Sequence, residues 1–350
     1  MAHEIKELDR PMYGSNVAAW HKLGIVVDGQ PTSAEAMRLA HLDWAVHLEA
    51  LWVGKTSLFT TPIDDSFGVV RDDIPDTRDS RRYLGVVGSR YHPIQNVDAF
   101  GFADALVGEG GARFESAGSL RNGRIVWLLA ALPQALRVKD DTINQYLLLK
   151  TTHDGTGALQ AMLTPVRVVC WNTLSAALRG AKNTVNIRHT AKALQKVAEA
   201  RRVLGLAQGY FNGLGEQLEK MAEKPINADE VWAFVNALVP NPKPTEKAHA
   251  AGQSRAAATR SEIVQLYAGG QQGAKQKATR GTVYGLYNAA AEYADHGRTV
   301  RKSGGGSQDE ARMESSLWGS AAAFKEKAFE LASKLADPAE TIISNLNLGD

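Results

Sequence analysis

The sequence predicts an α+β protein: an antiparallel hairpin and sheet region with packed helices, a β-β-β-α-like core, followed by an all-helical C-terminal region. Three observations predict it. Apolar and polar residues alternate with period two in several short runs before about residue 190, as half-buried strands require. The stretch Thr151–Thr190 reads as a hairpin-to-helix corner. Beyond it, alternation gives way to long alanine-rich runs at helical spacing, punctuated by proline and glycine. Two units follow, 1–190 and 191–350, with a linker near 239–247 (VPNPKPTEK) and a loop near 301–307 (RKSGGGS) that reads as mobile by composition.

The first helix is expected from Thr32, with Thr32 or Ser33 as its cap, Glu35 in the first turn and Met37, Leu39, Ala40 and Leu42 as a short apolar face. Trp44, Val46, Leu48 and Ala50 alternate as a strand, and Leu58–Thr61, Phe67–Arg71 and Tyr83–Val87 continue the pattern. A turn at Gly88–Asn96 leads to a helix over Val97–Val107 with Asn96 as its cap. Arg113–Leu120 and Arg124–Leu132 flank Asn122-Gly123, a dipeptide that tolerates positive φ and so marks a hairpin. Tyr146–Thr152 and Ala158–Leu163 form a second hairpin around His153-Asp154-Gly155. Thr164-Pro165 then reads as the cap and first residue of a helix. The later helices are expected at Ala191–Met221, Ala228–Leu238, Gln253–Ala268, Gly281–Ala294 and Asp309–Leu335.

Length and composition bound the function. A chain of 350 residues with 44% hydrophobic content can bury a large core. Its single cysteine, Cys170, excludes a disulfide framework and a cysteine zinc cluster. No secretion signal or long apolar span is visible, so a cytoplasmic protein with no membrane partner is expected. Net charge is only +2, but it is unevenly placed. Residues 1–165 hold 16 Lys+Arg against 20 Asp+Glu, residues 166–224 hold 10 against 4, and residues 243–302 again hold 10 against 4.

No enzyme constellation emerges, and no cofactor or metal is expected. Cys170 sits between Val169 and Trp171, among packing residues rather than beside a base. His153-Asp154 precedes glycine, as turn chemistry explains, and no Gly-x-Ser-x-Gly elbow accompanies it. Gly269–Lys275 lacks phosphate-loop spacing and a leading strand. Three tyrosines, Tyr284, Tyr287 and Tyr293, stand in Gly281–Arg298, with Tyr284, Tyr287 and roughly Ala291 on one helix face, and read as packing residues before base-stacking ones. The informative segment is Arg167–Arg202. Arg167, Arg179, Lys182, Arg188, Lys192, Lys196, Arg201 and Arg202 are opposed there only by Glu199, with Asn183, Thr184 and Asn186 interleaved as uncharged donors. Such a run can track a nucleic-acid backbone, because Lys and Arg displace condensed counterions while amides fix register. A solvated helix face has the same composition.

At Val87–Asn96, Gly108–Arg113, Thr164–Leu174, Ile187–Thr190 and Gly281–Arg298 the chain resembles the phage/plasmid-like protein family of unknown function numbered 932, departing from it at Trp171 and Ala19. The resemblance implies a mobile-element habitat in a bacterial host and no reaction. At fold level the corner is also similar to the β-β-β-α core of phage single-strand annealing proteins, which implies a homo-oligomeric ring or filament with DNA in a basic groove. The expected function is therefore non-catalytic binding and annealing of single-stranded DNA in recombination or replication. Arg167, Arg179, Lys182, Arg188 and Lys192 would hold phosphates, Asn183 and His189 add hydrogen bonds, and Lys150 and His153 form the opposite wall. The alternative is a structural or host-interaction assembly protein with no nucleic-acid ligand.

Overall fold

A computed structural model of the chain describes residues 25–26, 31–56, 59–77, 82–101, 103–157, 159–167, 184–186, 193–243, 249–272, 274–301 and 307–337. Strands occupy the first part: β1 (Ile25–Val26), β2 (Val46–Thr56), β3 (Phe59–Arg71), β4 (Tyr83–Gly88), β5 (Arg113–Leu120), β6 (Ile125–Val138), β7 (Asp141–Thr152), β8 (Gln160–Arg167) and β9 (Thr184–Asn186). Among them lie helices α1 (Ser33–Leu39), α2 (Asn96–Phe100) and α3 (Ala103–Gly110). Helices α4 (Ala193–Glu223), α5 (Ala228–Leu238), α6 (His249–Gln265), α7 (Val283–Glu292), α8 (Gln308–Trp318) and α9 (Ser320–Ala336) follow. The α+β class expected from the sequence is what the chain adopts. The linker residues 244–248 and the loop residues 302–306 lie outside the described residues.

Two antiparallel sheets carry the strands, one in the order β1-β5-β6-β7-β8-β9 and the other β2-β3-β4. The larger sheet is apolar on both faces. Leu147 and Leu149 of β7, with Leu128 and Ala130 of β6, enter a large core that also holds residues of α1–α7 and α9. Leu148, Trp127 and Leu129 point the other way, against Met313, Leu317 and Trp318 of α8. Trp127 stands directly across from Gly118 on β5, and a Cβ at Gly118 would lie 2.9 Å from the indole. Glycine there is what lets the ring lie on the neighbouring strand.

Helix ends follow local chemistry. Thr32 and Glu35 form a capping box at α1, Asn227 and Glu230 one at α5, and Ser307 and Glu310 one at α8. Helix α4 buries Val203, Ala207, Tyr210, Phe211, Leu214, Leu218 and Met221, a stripe at intervals of three and four that lays it against β6 and α3. Every residue of α7 is buried, so this helix is the centre of the helical layer. Both α6 and α7 end in a π turn, at Leu266–Gly270 and Tyr293–Gly297.

Three local expectations are corrected. Thr164-Pro165 does not start a helix: both residues continue β8, opposite Tyr146 and Gln145 of β7. Pro165 is tolerated because β9 pairs with β8 only at Gln160–Met162, leaving the stretch beyond without a second described strand to which an N–H would be owed. Asn96 is not the cap of α2. Gln95 holds that position, and the Asn96 side chain is buried instead. The expected helix Asp309–Leu335 is two, broken at Gly319, where a Cβ would meet the Ser315 Cα at 2.8 Å.

The sheets meet at a polar joint. The Asn96 amide nitrogen donates to the carbonyls of Leu42 (2.9 Å) and Trp44 (3.5 Å), which leaves its oxygen to accept from His153 Nε2 at 2.7 Å. The proton is thereby assigned to Nε2, and Nδ1 is a buried lone pair with no hydrogen-bond partner among the described residues. The His153 ring packs edge-on to Trp44, which also carries the Arg71 guanidinium over its ring at 4.1 Å to the centre. Arg71 binds Asp73 through two nitrogens, at 3.0 and 2.8 Å, and the Asn122 carbonyl at 3.3 Å. The β5–β6 turn presses close: Gly123 has φ +84°, and a Cβ there would lie 2.7 Å from Arg71. Strand β4 seats on the next turn in the same way, a Cβ at Gly85 falling 2.7 Å from the Asp154 backbone. Burial, and then the nearby Arg71 charge, pull His153 down to about 4.

Two measurements check this packing. Glycine to alanine in a helix interior ordinarily stabilises by about 1 kcal/mol, but a Cβ at Gly285 of α7 would lie 1.9 Å from the Thr279 carbonyl oxygen. Gly285→Ala is therefore expected to destabilise by about 2 kcal/mol or more in urea unfolding, and a neutral result would contradict the close approach. His153 is held neutral, so the folded protein binds fewer protons than the unfolded chain below pH 6.5, the ordinary value. Its contribution is full above that pH and declines as pH falls toward 4, by about 3 kcal/mol in all. His153→Gln should flatten this part of the stability profile; equal slopes for both proteins would refute the buried neutral ring.

Candidate functional site

The segment that sequence reasoning singled out is anchored to the sheet by β9. This strand pairs Asn186 with Gln160, Val185 with Ala161 and Thr184 with Met162, and the Gln160 side chain donates to Asn186 Oδ1 at 3.2 Å. Among the described residues β9 is the last strand of its sheet, so the middle of the basic run lies at that end of the described strand order. Lys182 and Asn183 immediately precede it in sequence, and Arg188, His189 and Lys192 follow shortly after. Those residues and Arg179 lie outside the described residues, as does Cys170. Arg167 is described only as backbone, closing β8 opposite Ile143. Six residues after β9 the chain enters α4, whose Arg201 and Arg202 are exposed.

The two residues expected to form the opposite wall are not brought together. Along β7, Leu148 faces α8 and Leu149 faces the large core, so Lys150 stands on the α8 side. Its ammonium lies 4.7 Å from the centre of the Trp318 ring, beside the Arg121–Glu314 ion pair at 2.5 Å. Burial lowers the Lys150 pKa, opposed by Glu314 and Asp154. His153 is 1% exposed and belongs to the joint with Trp44 and Asn96, on the other side of the sheet. Neither is an open wall for a polyanion. Lys150 holds α8 to the sheet, and His153 holds the sheets to each other.

The second basic segment forms a described surface. Lys275, Lys277 and Arg280 are exposed on the loop between α6 and α7. The Asp140 carboxylate at the β6–β7 turn accepts the N–H groups of Lys277 (2.8 Å) and Ala278 (3.0 Å), which fixes that loop beside the exposed Arg137 and Lys139. Burial acts to raise the Asp140 carboxyl, but these N–H groups and the Lys277 charge outweigh it, and the pKa lies below the ordinary value. Lys139 in turn donates to the Ala222 carbonyl near the end of α4. Five cations thus gather where the turn, the loop and α4 meet.

Three backbone N–H groups of the loop are already taken. The Gln272 N–H donates to the Glu292 carboxylate, at 3.1 and 3.3 Å to its two oxygens, so this N–H and those of Lys277 and Ala278 already serve carboxylates of the chain itself. The tyrosines of the neighbouring segment pack. Tyr284 and Tyr287 are fully buried, Tyr284 donating to Asp141 Oδ2 at 2.8 Å and Tyr287 meeting Phe329 edge-on. Tyr293 shares a 3.0 Å hydrogen bond with Thr259.

Sequence reasoning missed a buried ion pair in the helical layer. The π turn after α7 carries Asp295 inward, where Lys325 of α9 reaches Oδ1 at 2.6 Å and the Ser316 carbonyl at 3.0 Å. Burial lowers the lysine pKa, and Asp295 opposes that shift. In the sequence Lys325 sits between Phe324 and Glu326 and looks like any exposed helix lysine. Only its phase with Ala321, Ala328 and Ala332, all buried, marks it as facing inward.

Among the described residues no three His, Cys, Asp or Glu side chains are grouped to hold a metal ion, and no helix is long and apolar enough to cross a membrane. No curated protein and no solved structure matches the chain. A family model does, over residues 83–318, from the first residue of β4 to the last of α8; it takes in β9, the basic loop and, of the joint, Asn96, Asn122, Gly123 and His153 but not Leu42, Trp44, Arg71 or Asp73. The chain therefore belongs to the family described as a domain of unknown function, DUF932.

Proposed function

We propose that this chain is a non-catalytic protein that binds single-stranded DNA, and that it serves annealing or recombination for a phage or plasmid as a homo-oligomer in the host cytoplasm. The observation that carries the reading is the position of β9: a run with eight cations and one carboxylate between Arg167 and Arg202 is pinned at its middle to a sheet edge. Lys and Arg of such a run can displace condensed counterions while neighbouring amides fix register on a sugar-phosphate backbone. The cations of this reading are Arg167, Arg179, Lys182, Arg188 and Lys192, with Asn183 and His189 as hydrogen-bonding neighbours. Lys150 and His153 are left out of it, since one is committed to Trp318 and the other to Asn96. The exposed cations Arg137, Lys139, Lys275, Lys277 and Arg280 supply a second stretch of positive surface.

An assembly protein without a nucleic-acid ligand is the second reading, favoured by the exposed apolar residues Trp52, Val53 and Ile63 on the β2–β3 hairpin. Salt-dependent binding of a fluorescent oligonucleotide separates the two. If about six cations meet single-stranded phosphates, log K falls against log salt with a slope near −4. Replacing Arg179, Lys182 and Arg188 together by alanine should reduce that slope by about 2 and weaken binding. Equal affinity and slope for both proteins would remove the DNA reading.

A further inference from the structure

Three cations of the α6–α7 loop stand out from a buried frame. Lys275, Lys277 and Arg280 are exposed, while Gln271, Ala278 and Thr279 of the same loop are buried. The frame is tied on both sides. Besides the two N–H bonds to the Asp140 carboxylate, the Gln276 side-chain amide donates to the Asp140 carbonyl at 3.3 Å, which fastens the loop to the β6–β7 turn. At its other end the Gly281 carbonyl accepts from the Ile226 N–H at 3.1 Å, and the Val283 N–H donates to the Lys224 carbonyl at 3.0 Å, which fastens it to the link between α4 and α5. Inside, the Gln271 amide donates to the Gly285 carbonyl (3.1 Å) and the Thr282 hydroxyl to that of Ala278 (2.7 Å). The backbone that carries the three cations is therefore set in place.

The charges gathered there are not neutralised by the chain. Among the described residues none of Arg137, Lys139, Lys275, Lys277 and Arg280 forms an ion pair, whereas Arg71, Arg82 and Arg121 each close on a carboxylate. Lys139 bonds the Ala222 carbonyl, a neutral partner. Asp140 is held in their midst, and one negative charge does not balance five positive ones. Like charges held together on a fixed frame raise the local concentration of anions.

The surface also adjoins the start of the basic run. Arg137 of β6 stands opposite Thr142 of β7, and Arg167, where the run begins, stands opposite the next residue, Ile143, from the other side. Their Cα atoms are two strand spacings apart, about 10 Å. We propose that Arg137, Lys139, Lys275, Lys277 and Arg280 form a second binding surface for the phosphates of a single-stranded nucleic acid, which takes the strand on from the run that starts at Arg167. The choice of ligand rests on the nucleic-acid reading; the surface does not. Arg and Lys meet phosphate oxygens through charge-assisted hydrogen bonds, and a chain of phosphates engages cations spread over two elements as a single small anion does not. Continuity with the run favours one long polyanion over a separate acidic protein partner.

The test compares three proteins in salt titrations of a fluorescent thymidine oligonucleotide: the parent chain, the loop variant Lys275→Ala/Lys277→Ala/Arg280→Ala, and the run variant Arg179→Ala/Lys182→Ala/Arg188→Ala. The loop substitutions leave the N–H groups bound by Asp140 in place, and unchanged circular dichroism and urea midpoint check the fold. Three fewer phosphate contacts should reduce the slope of log K against log salt by about 2, which amounts to about 100-fold in affinity between 1 M and 0.1 M salt. Arg137→Ala, on the other element, should reduce it by about 0.7. A loop variant with the parent's slope and affinity would overturn the inference, and a weakened run variant beside it would leave the DNA reading standing. Weakening by the loop substitutions alone would support this surface and remove the run from the DNA reading. Loss of poly-glutamate binding without loss of oligonucleotide binding would assign the surface to an acidic protein and overturn the inference. Failure of the parent chain to bind the oligonucleotide would remove both.

Discussion

A sheet that is apolar on both faces leaves the chain little choice. Strands β6 and β7 send Leu128, Leu147 and Leu149 one way and Trp127, Leu129 and Leu148 the other, and all six are buried. Each large side chain contributes about 1.5–3 kcal/mol when taken from water, so both faces must be covered. On one side α4 and the elements before β5 do this, and the same core continues without a break into α7 and α9. On the other side α8 brings Met313, Leu317 and Trp318. The helical second half is therefore not an appendage to the sheet. It supplies part of the cover that the sheet requires.

Polar groups inside this packing are placed where they fix geometry. The His153–Asn96 bond ties a turn of the large sheet to α2, and Asn96 in turn reaches the carbonyls of Leu42 and Trp44. The Lys325–Asp295 pair ties α9 to the π turn after α7. Neither contact need add net stability, since desolvation offsets much of what it gains. What both do is penalise a shifted packing, because such a shift would strand a buried donor or charge. The histidine that looked like a surface ligand in the sequence is thus a register pin, and the lysine that looked solvated is an interior one.

Much of the fold was legible because local chemistry and tertiary packing agree. Asn227 with Glu230 sets the start of α5, and the periodic Val231, Phe234, Val235 and Leu238 set its length, so Ala228–Leu238 was readable to the residue. Arg113–Leu120 was equally clear, bounded by Gly111 at φ +63° and by the left-handed Arg121, Asn122 and Gly123. Thr164-Pro165 misled because capping chemistry is only a local preference, and the ladder that β7 offers from Ile143 to Lys150 outweighs it. The break at Gly319 was hidden because the apolar pattern on either side is helical. Of the β2–β3 hairpin beyond Ala50 only Leu58–Thr61 was read as strand, since no sequence pattern reports that a hairpin continues past its supporting core. Of the candidate site, the charge imbalance was legible and the loss of Lys150 and His153 from it was not. Exposure of a polar residue depends on what packs over it, here Trp318 and Trp44, both distant in the chain.

Function in this account follows from edges. The centre of the large sheet is sealed, whereas among the described residues β9 stands at one edge, in the middle of the basic sequence run, and β2 stands at an edge of the small sheet with Trp52 and Val53 exposed. The central claim is that a nucleic-acid strand lies along the first of these. Hydrogen exchange on the full chain, with and without a thymidine oligonucleotide, addresses it directly. The account predicts new protection in peptides covering residues 179–192, with no change in α8 or in the turn at His153–Gly157. Protection confined to other regions, or none at saturating oligonucleotide, would contradict it.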